Sequence, residues 1–191
     1  QSYAALACIA IQSNQNDQHG GQGIPNFDYA LAKGVKKTYR RLLIETLRKA
    51  LSILAPEAAV DKQAATEIVD AAAEKAGGPS LGRNEAYVRA LCEGLQARFD
   101  EALARQALDF TLRESAQEIN RRTYQAMESV VHNLNSMHSR AGAQTPFSSI
   151  NYGTDTSDEG RLVIRNILLA TEAGLGHGET PIFPIQIFKL K

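Results

Sequence analysis

The residues most suited to binding chemistry are HGGQG, at positions 19–23. Glycines let the backbone approach a ligand closely, and successive N–H groups in such a turn can point at an anion. The segment precedes an expected helix start, where the helix dipole favours negative charge. However, positions 13–22 (SNQNDQHGGQ) hold no apolar side chain, and the nearby Asp17 disfavours a bare phosphate. A ligand cradle and a plain surface loop therefore both remain open.

Two further segments place polar groups beside small residues. HSRAGAQ, at positions 138–144, contains Arg140 and Gln144, which can bind a phosphate or a base edge. GTDTS, at positions 153–157, follows an expected strand, and ligands of α/β folds gather at the carboxyl ends of strands. The alternatives are a plain loop for the first segment and a helix-capping turn for the second.

No spacing in the sequence predicts a catalytic triad, a carboxylate pair or a metal site. Cys8 and Cys92 lie far apart and outside any CxxC pattern, which argues against a disulfide framework and a thiolate zinc site. His132 and His138 point to different faces of a helix, so a shared metal is not expected. GLGHG, at positions 174–178, follows a helix, which favours a left-handed C-cap at Gly174 over a dinucleotide-binding turn.

The composition is that of an ordinary soluble globular protein. The 191 residues are 43% hydrophobic and 22% charged, with a formal net charge of zero. A neutral chain argues against nonspecific nucleic-acid binding, which needs Lys and Arg to displace counterions. With no membrane-spanning run and no visible signal peptide, we expect no membrane partner and a cytoplasmic location. Because Gln1 lies inside an apolar helical pattern and the chain ends in strand-like IQIFKLK, we expect an internal piece of a longer protein.

The elements that must position these segments are mostly helical. Positions 2–12 predict a buried helix, and a polar loop is expected from there to about Asn26. A long amphipathic helix should follow to about Leu54, with Asn26 or Asp28 as its cap. Its other face is basic, which indicates a solvated face or, alternatively, a phosphate-facing one.

The middle of the chain also predicts helices. Pro56 should end the long helix, 58–76 should form an Ala-rich helix, and GGPSLG (77–82) should turn. Helical patterning continues over 84–138, with possible breaks at Gly94 and near Asn120. An apolar stripe on this segment, if exposed, could pack on a symmetry mate. The stripe comprises Tyr124, Met127, Val130, Val131, Leu134 and Met137.

The pattern changes after position 145. PFSSINY (146–152) predicts a strand, and a helix over 158–173 should be capped by Thr156 or Ser157. TPIFPIQIF (180–188) is apolar on both alternating faces and predicts a buried strand. Strand, helix and strand in succession indicate a parallel βαβ unit. The predicted fold class is helix-rich α/β.

Three segments together resemble the anaerobic (class III) ribonucleoside-triphosphate reductases. They are SNQNDQHGGQGIPNFDYALAKGV, RRTYQAMESVVHNLNSMHSRAGAQTPFSSINYGTDTSDEGR and LLATEAGLGHGETPIFPIQIFK. They cover roughly the first 40 residues and everything after about 120, whereas the region of about 45–115 matches no motif.

The resemblance implies that residues 1–191 form one partial catalytic domain, within a ten-stranded α/β barrel shared by glycyl-radical enzymes. It assigns 1–55 to a helix, ligand loop and long helix, 56–138 to variable and dimer-interface helices, and 139–191 to a specificity loop and strand–helix–strand unit. In this family a glycyl radical passes to a finger-loop cysteine, whose thiyl abstracts the ribose 3′ hydrogen. The 2′ hydroxyl leaves as water, and formate commonly serves as reductant.

The resemblance also implies the partners. The parent protein would take a ribonucleoside triphosphate as substrate, ATP or a dNTP as effector, a second copy of itself, and a radical-SAM activating enzyme. The glycyl radical and a zinc site would belong to the parent, and we expect no cofactor, metal or catalytic residue in this chain. Cys8 and Cys92 do not match the catalytic cysteine motifs, so the chain alone is expected to be inactive.

Three sets of site residues follow from the resemblance. The substrate side would comprise His19, Gly20, Gly21, Gln22, Asn151, Gly153 and Thr154. The specificity loop, coupling effector to substrate, would comprise His138, Ser139, Arg140, Ala141, Gly142, Ala143 and Gln144. Tyr124, Glu128 and His132 would lie on the interface helix near the effector. Two other functions remain open: a non-catalytic helical dimerisation or scaffold protein, and a different glycyl-radical enzyme.

Overall fold

The computed structural model describes residues 1–17, 20–58, 60–82, 84–137, 145–176 and 178–190. They form two compact units, one comprising Gln1–Gly34 with Asn120–Lys191 and the other Val35–Ile119. The helices are α1 (Ser2–Asp17), α2 (Phe27–Leu54), α3 (Lys62–Ala76), α4 (Glu85–Gln96), α5 (Glu101–Ser136) and α6 (Asp158–Ala173). The strands are β1 (Gln22–Ile24), β2 (Ser148–Tyr152) and β3 (Ile185–Phe188).

The first unit is built on a three-stranded parallel sheet in the order β1-β2-β3. β2, α6 and β3 follow one another along the chain, and β2 pairs parallel with β3. The predicted helix-rich α/β class and parallel βαβ unit are therefore confirmed. Ser157 caps α6, because its side chain accepts a hydrogen bond from the Gly160 N–H at 3.2 Å.

The two faces of this sheet differ in burial. In register, Gly23 lies opposite Ser149 and Ser149 lies opposite Ile185, so these residues share one face. We call this the Ser149 face; it comprises Gly23, Ser149, Asn151, Ile185 and Ile187. On the other face, Ser148, Ile150 and Tyr152 of β2 are all buried. The helix-covered side of the sheet is thus distinct from the accessible Ser149 face.

The polar stretch at 13–22 is not a continuous loop, as the sequence suggested. α1 continues to Asp17, and β1 begins already at Gln22. Gln15 is buried within this last part of α1, and the Asn14 side-chain amide donates to the side chain of Gln22. Side-chain partners in the fold thus stabilise a helical end that polarity alone does not predict.

β3 is not the buried strand that its apolar sequence predicted. Ile185 and Phe188 are 57% and 56% exposed, and Ile187 is also exposed. Both prolines of the segment, Pro181 and Pro184, precede the strand. Gly174, the predicted left-handed cap of α6, has a positive φ of 77°, but its ψ of −158° lies outside the left-handed helical region.

The apolar stripe on α5 is not exposed over most of its length. Met127, Val130, Val131 and Leu134 are each at most 2% exposed. These side chains belong to the core of the first unit. A sheet and a helix each bury an apolar face by packing against another element, and α5 contributes this apolar face. Tyr124 and Met137 remain half-buried.

The second unit is helical. α2 ends at Leu54, a 3₁₀ turn follows at Pro56–Ala58, and α3 begins at Lys62 with Asp61 as its cap, later than predicted. The break expected at Gly94 falls after Gln96 instead. Gly94 lies where α4 approaches α3, since a Cβ there would be 3.5 Å from Ile68. α5 also continues through Asn120 without a break.

Candidate functional site

A pocket of about 580 Å³ lies at the amino ends of the three strands. Its lining residues come from the end of α1, the β1 segment, the start of β2 and the first residue of β3. They are Gln15, Gly20, Gly21, Gln22, Gly23, Phe147, Ser148, Ser149 and Ile185. Three predicted substrate residues, Gly20, Gly21 and Gln22, therefore lie together in one concave site, whereas His19 lies outside the described residues.

The glycine segment holds its place through the backbone. The Gln22 N–H donates to the Phe147 carbonyl at 2.8 Å, which starts the β1–β2 pairing. Gly20 has a φ of 109°, a conformation that side chains of L residues rarely adopt. A Cβ on Gly21 would meet the Phe147 carbonyl at 3.6 Å, an ordinary contact. The pocket wall is therefore main chain, which a ligand can approach closely.

The GTDTS turn lies at the opposite end of β2, and its donors are already engaged. The buried Asp28 carboxylate accepts from the N–H groups of Gly153 and Asp155 at 2.8 and 2.9 Å, and from the Thr154 hydroxyl at 3.2 Å. A Cβ on Gly153 would come within 2.5 Å of the Lys189 carbonyl. This geometry is that of a rigid capping turn, and the substrate-binding role of Gly153 and Thr154 stays a prediction.

Asp28 is a residue whose importance the sequence did not reveal. It was expected only as a possible helix cap, yet its fully buried carboxylate connects α2 to the turn after β2. Burial opposes its ionisation, but the donors from Asp155, Gly153, Tyr29 and Thr154 outweigh burial and lower the pKa of the Asp28 carboxyl. The carboxylate form is therefore the one this turn requires.

Asn151 differs from its two neighbours in the turn. It lies on the Ser149 face, two residues beyond Ser149 along β2 and opposite Ile187. A rise of about 3.3 Å per residue places Asn151 about 7 Å from Ser149. Asn151 and the pocket residue Ser149 can therefore face a single ligand that lies along this side of the sheet.

Asn135 connects the end of α5 to the chain leading into β3. Its side-chain amide donates to the carbonyls of Val131 and Phe183 at 2.6 and 2.5 Å. Its side-chain oxygen accepts from the N–H groups of Ile182 and Phe183 at 2.9 and 3.0 Å. Phe183 in turn packs edge-on against Phe147 of the pocket, with ring centroids 5.2 Å apart. Asn135 thus fixes a segment that supports the pocket wall.

The predicted effector residues are only partly described. Tyr124, Glu128 and His132 recur every four positions on α5, so they lie along one helix face, and all three are half-buried. His138, Ser139, Arg140, Ala141, Gly142, Ala143 and Gln144 lie outside the described residues. The roles of both groups stay predictions.

The cysteines do not belong to the pocket. Cys8 is buried in α1, and burial raises the pKa of its thiol, against a smaller opposite effect of a hydrogen bond with Asn133. Cys92 is half-buried in α4, in the other unit. Within the described ranges no group of three or more His, Cys, Asp or Glu side chains could hold a metal, and no helix is long and apolar enough to cross a membrane.

A larger concavity, of about 830 Å³, lies in the second unit. All its lining residues belong to α3 or its cap, so a single helix face forms it. Two of its acids are paired: Asp70 with Arg40 at 2.6 Å, and Glu67 with Arg98 at 3.4 Å. Without a second element to enclose a ligand, this surface is a weaker candidate than the sheet-end pocket.

Comparison with known proteins gives one consistent family. The model of the family described as "Anaerobic ribonucleoside-triphosphate reductase" matches residues 1–191. An anaerobic ribonucleoside-triphosphate reductase of Escherichia coli (strain K12) is 38% identical over 69 residues, which are 36% of this chain and 10% of that protein. A protein of the same name from Haemophilus influenzae is 35% identical over 74 residues, which are 38% of this chain and 10% of that protein.

The matched region thus spans about a tenth of the length of these curated relatives. The family match, in contrast, extends over all the residues that form the pocket, the sheet and both compact units. The chain therefore belongs to the anaerobic ribonucleoside-triphosphate reductase family.

Proposed function

We propose that this chain forms the substrate-side wall of an enzyme that reduces ribonucleoside triphosphates to deoxyribonucleoside triphosphates. The observation that carries the proposal is the pocket of about 580 Å³ on Gly20, Gly21 and Gln22, within a chain matched over its whole length by the reductase family. A pocket of this volume is within the usual range for small-molecule sites. This observation favours the reductase over a dimerisation scaffold or a different glycyl-radical enzyme.

The share of this chain in the reaction is binding and orientation. The glycine segment gives a main-chain wall, and the parallel strands fix that wall against Phe147 and Ile185. The glycyl and thiyl radical chemistry, with formate as reductant, would act on a ribose held here. We assign none of its radical steps to a residue of this chain.

The proposal extends to regulation. α5 ends at Ser136 and β2 begins at Ser148, so the segment 138–144 runs between the predicted effector helix and the start of the pocket wall. A loop in that place can transmit effector binding to the substrate pocket by changing its conformation. Tyr124, Glu128 and His132, on one face of α5, would contact the effector or a second copy of the chain.

We also propose the partners and the cellular location of the full-length protein. A ribonucleoside triphosphate would be the substrate, ATP or a dNTP the effector, and a radical-SAM enzyme the activator of the full-length protein. That protein would work in the cytoplasm as a homodimer, with its glycyl radical and zinc held by the parent polypeptide rather than by the residues of this pocket.

The test is Gly21→Val in the full-length protein, assayed anaerobically with each ribonucleoside triphosphate. A branched side chain would enter the pocket, and overpacking of about 1–3 kcal/mol corresponds to a rise in KM of about 5- to 150-fold. Gly21→Ala should have little effect, because its Cβ would make only the 3.6 Å contact to Phe147.

Gly78→Val is the matched control, because Gly78 lies in the turn of the second unit with no atom within 4 Å of an added Cβ. It should leave KM unchanged. Equal kinetics of Gly21→Val and Gly78→Val would contradict a substrate role for the pocket.

A further inference from the structure

Ser149 lines the pocket but lies outside the three segments, 19–23, 138–144 and 153–157, that the sequence indicated as binding segments. It lines the pocket on the Ser149 face, between Gly23 of β1 and Ile185 of β3. Unlike Ser148, which is 2% exposed, Ser149 is only half-buried. Its hydroxyl has no hydrogen-bond partner within the part of the chain described by the structure. The hydroxyl is thus accessible from the pocket and available to a ligand.

Gly23 leaves the space that this hydroxyl occupies. A Cβ on Gly23 would lie 2.9 Å from Ser149 Oγ, closer than real Cβ atoms come to other atoms. The φ of Gly23 is not positive, so backbone conformation does not explain the glycine. The close approach of Ser149 Oγ explains the glycine for this orientation of the hydroxyl, because an added Cβ would force the hydroxyl to rotate away.

The chemistry of the pocket indicates which part of a nucleotide it fits. Among the nine described lining residues there is no charged side chain; they offer amides, hydroxyls, glycine main chain, one aromatic ring and one isoleucine. Triphosphates are bound by Lys, Arg, metal ions or helix amino termini. Among these nine lining residues the only helical one, Gln15, lies near the carboxyl end of α1, where the helix dipole disfavours an anion. Neutral hydrogen-bonding groups beside an aromatic ring suit a sugar or a base.

We propose, resting on the reductase function proposed above, that the Ser149 hydroxyl hydrogen-bonds the uncharged nucleoside half of the substrate, and that the absence of a side chain at Gly23 leaves the space for this hydroxyl. The pocket at the amino ends of the strands is then the nucleoside subsite. The triphosphate lies beyond these nine residues.

The experiment is Ser149→Ala in the full-length protein, with kinetics for each ribonucleoside triphosphate and with inorganic tripolyphosphate as competitor. Loss of one hydrogen bond to a neutral group should raise KM about two- to tenfold. The inhibition constant of tripolyphosphate should change less than twofold. An unchanged KM, or equal weakening of nucleotide and tripolyphosphate, would overturn the proposal.

Ser52→Ala is the matched control, because Ser52 is exposed at the end of α2 and, within the described ranges, its hydroxyl donates only to the Lys49 carbonyl. It should leave KM and the thermal midpoint unchanged. A KM raised as much by Ser52→Ala as by Ser149→Ala would overturn the assignment to Ser149.

A second pair of variants separates packing from binding. Gly23→Ala should lower the thermal midpoint, because the new methyl meets Ser149 Oγ. Gly23→Ala combined with Ser149→Ala should recover the midpoint, because the obstructing oxygen is gone, while KM stays as high as in Ser149→Ala. Full recovery of KM in the double variant would show that the hydroxyl has no binding role.

The two proposals fail differently. If the wild-type protein reduces no ribonucleoside triphosphate, the proposed function is wrong. If it does reduce them and Ser149→Ala is kinetically silent, the proposed function stands and the nucleoside subsite is wrong.

Discussion

The buried carboxylate of Asp28 connects α2 to the turn after β2, a contact that the sequence does not predict. Asp28 is fully buried and satisfies three donors of the turn after β2. A buried carboxylate is stable only when donors replace the water that it loses. Asp28 therefore positions the carboxyl end of β2, while the amino end of the same strand opens into the pocket.

Asp28→Asn should lower the free energy of unfolding by about 1–3 kcal/mol at pH 7, since an amide cannot accept all three hydrogen bonds as a carboxylate does. Donation lowers the pKa of Asp28 below the unfolded value of about 3.9. Its stabilisation is thus complete above that pH and is lost as pH falls through the lower folded-state pKa. Urea unfolding at pH 7 and near pH 3 measures both effects.

The difference in the free energy of unfolding between wild type and Asp28→Asn should be smaller near pH 3 than at pH 7. Asp109→Asn, at an exposed position of α5, serves as the charge-matched control and should change stability by less than about 0.5 kcal/mol. A pH-independent difference for Asp28→Asn would mean that the ionised carboxylate is not what stabilises the turn.

Sequence patterns predicted α2, α6 and the positions of β2 and β3, but missed β1, the exposure of β3 and several helix ends. α2 and α6 match their predicted bounds because an amphipathic repeat and a capping serine define them. β1 has three residues, one of them glycine, so it carries no alternation to detect. The exposure of β3 was missed because an apolar strand gives no sign of whether another element covers it. The pocket joins four separate elements, which no local pattern can bring together.

The Asn135 side chain makes three hydrogen bonds between α5 and the segment before β3. Asn135→Ala removes four hydrogen bonds and leaves the main-chain groups of Ile182 and Phe183 without these partners. We expect a loss of about 1–3 kcal/mol in the free energy of unfolding. KM should also rise, because Phe183 supports Phe147 in the pocket. Urea unfolding and steady-state kinetics of the full-length protein test both effects.

Ser136→Ala is the neighbouring control, since among the described residues the Ser136 hydroxyl donates only to the His132 carbonyl of its own helix. It should change neither quantity appreciably. A loss of stability in Asn135→Ala without any change in KM would show that the Asn135 hydrogen bonds do not affect the pocket. Asn135 would then be a purely structural residue.

At the scale of the whole molecule, the sheet leaves apolar surface uncovered. Within the described residues β3 pairs only with β2, and Ile185, Ile187 and Phe188 of this edge strand are exposed. An apolar edge strand with unpaired backbone groups is a template for association with another chain.

The 191-residue chain produced alone should therefore self-associate through this edge. Ile187→Lys places a charge on the edge strand and should lower the apparent mass in concentration-dependent analytical ultracentrifugation. Ile53→Lys makes the same change at a 65% exposed isoleucine at the end of α2, far along the chain from the sheet, and should leave association unchanged. If both variants reduce association equally, added charge alone is responsible and the open edge of β3 is not the site of self-association.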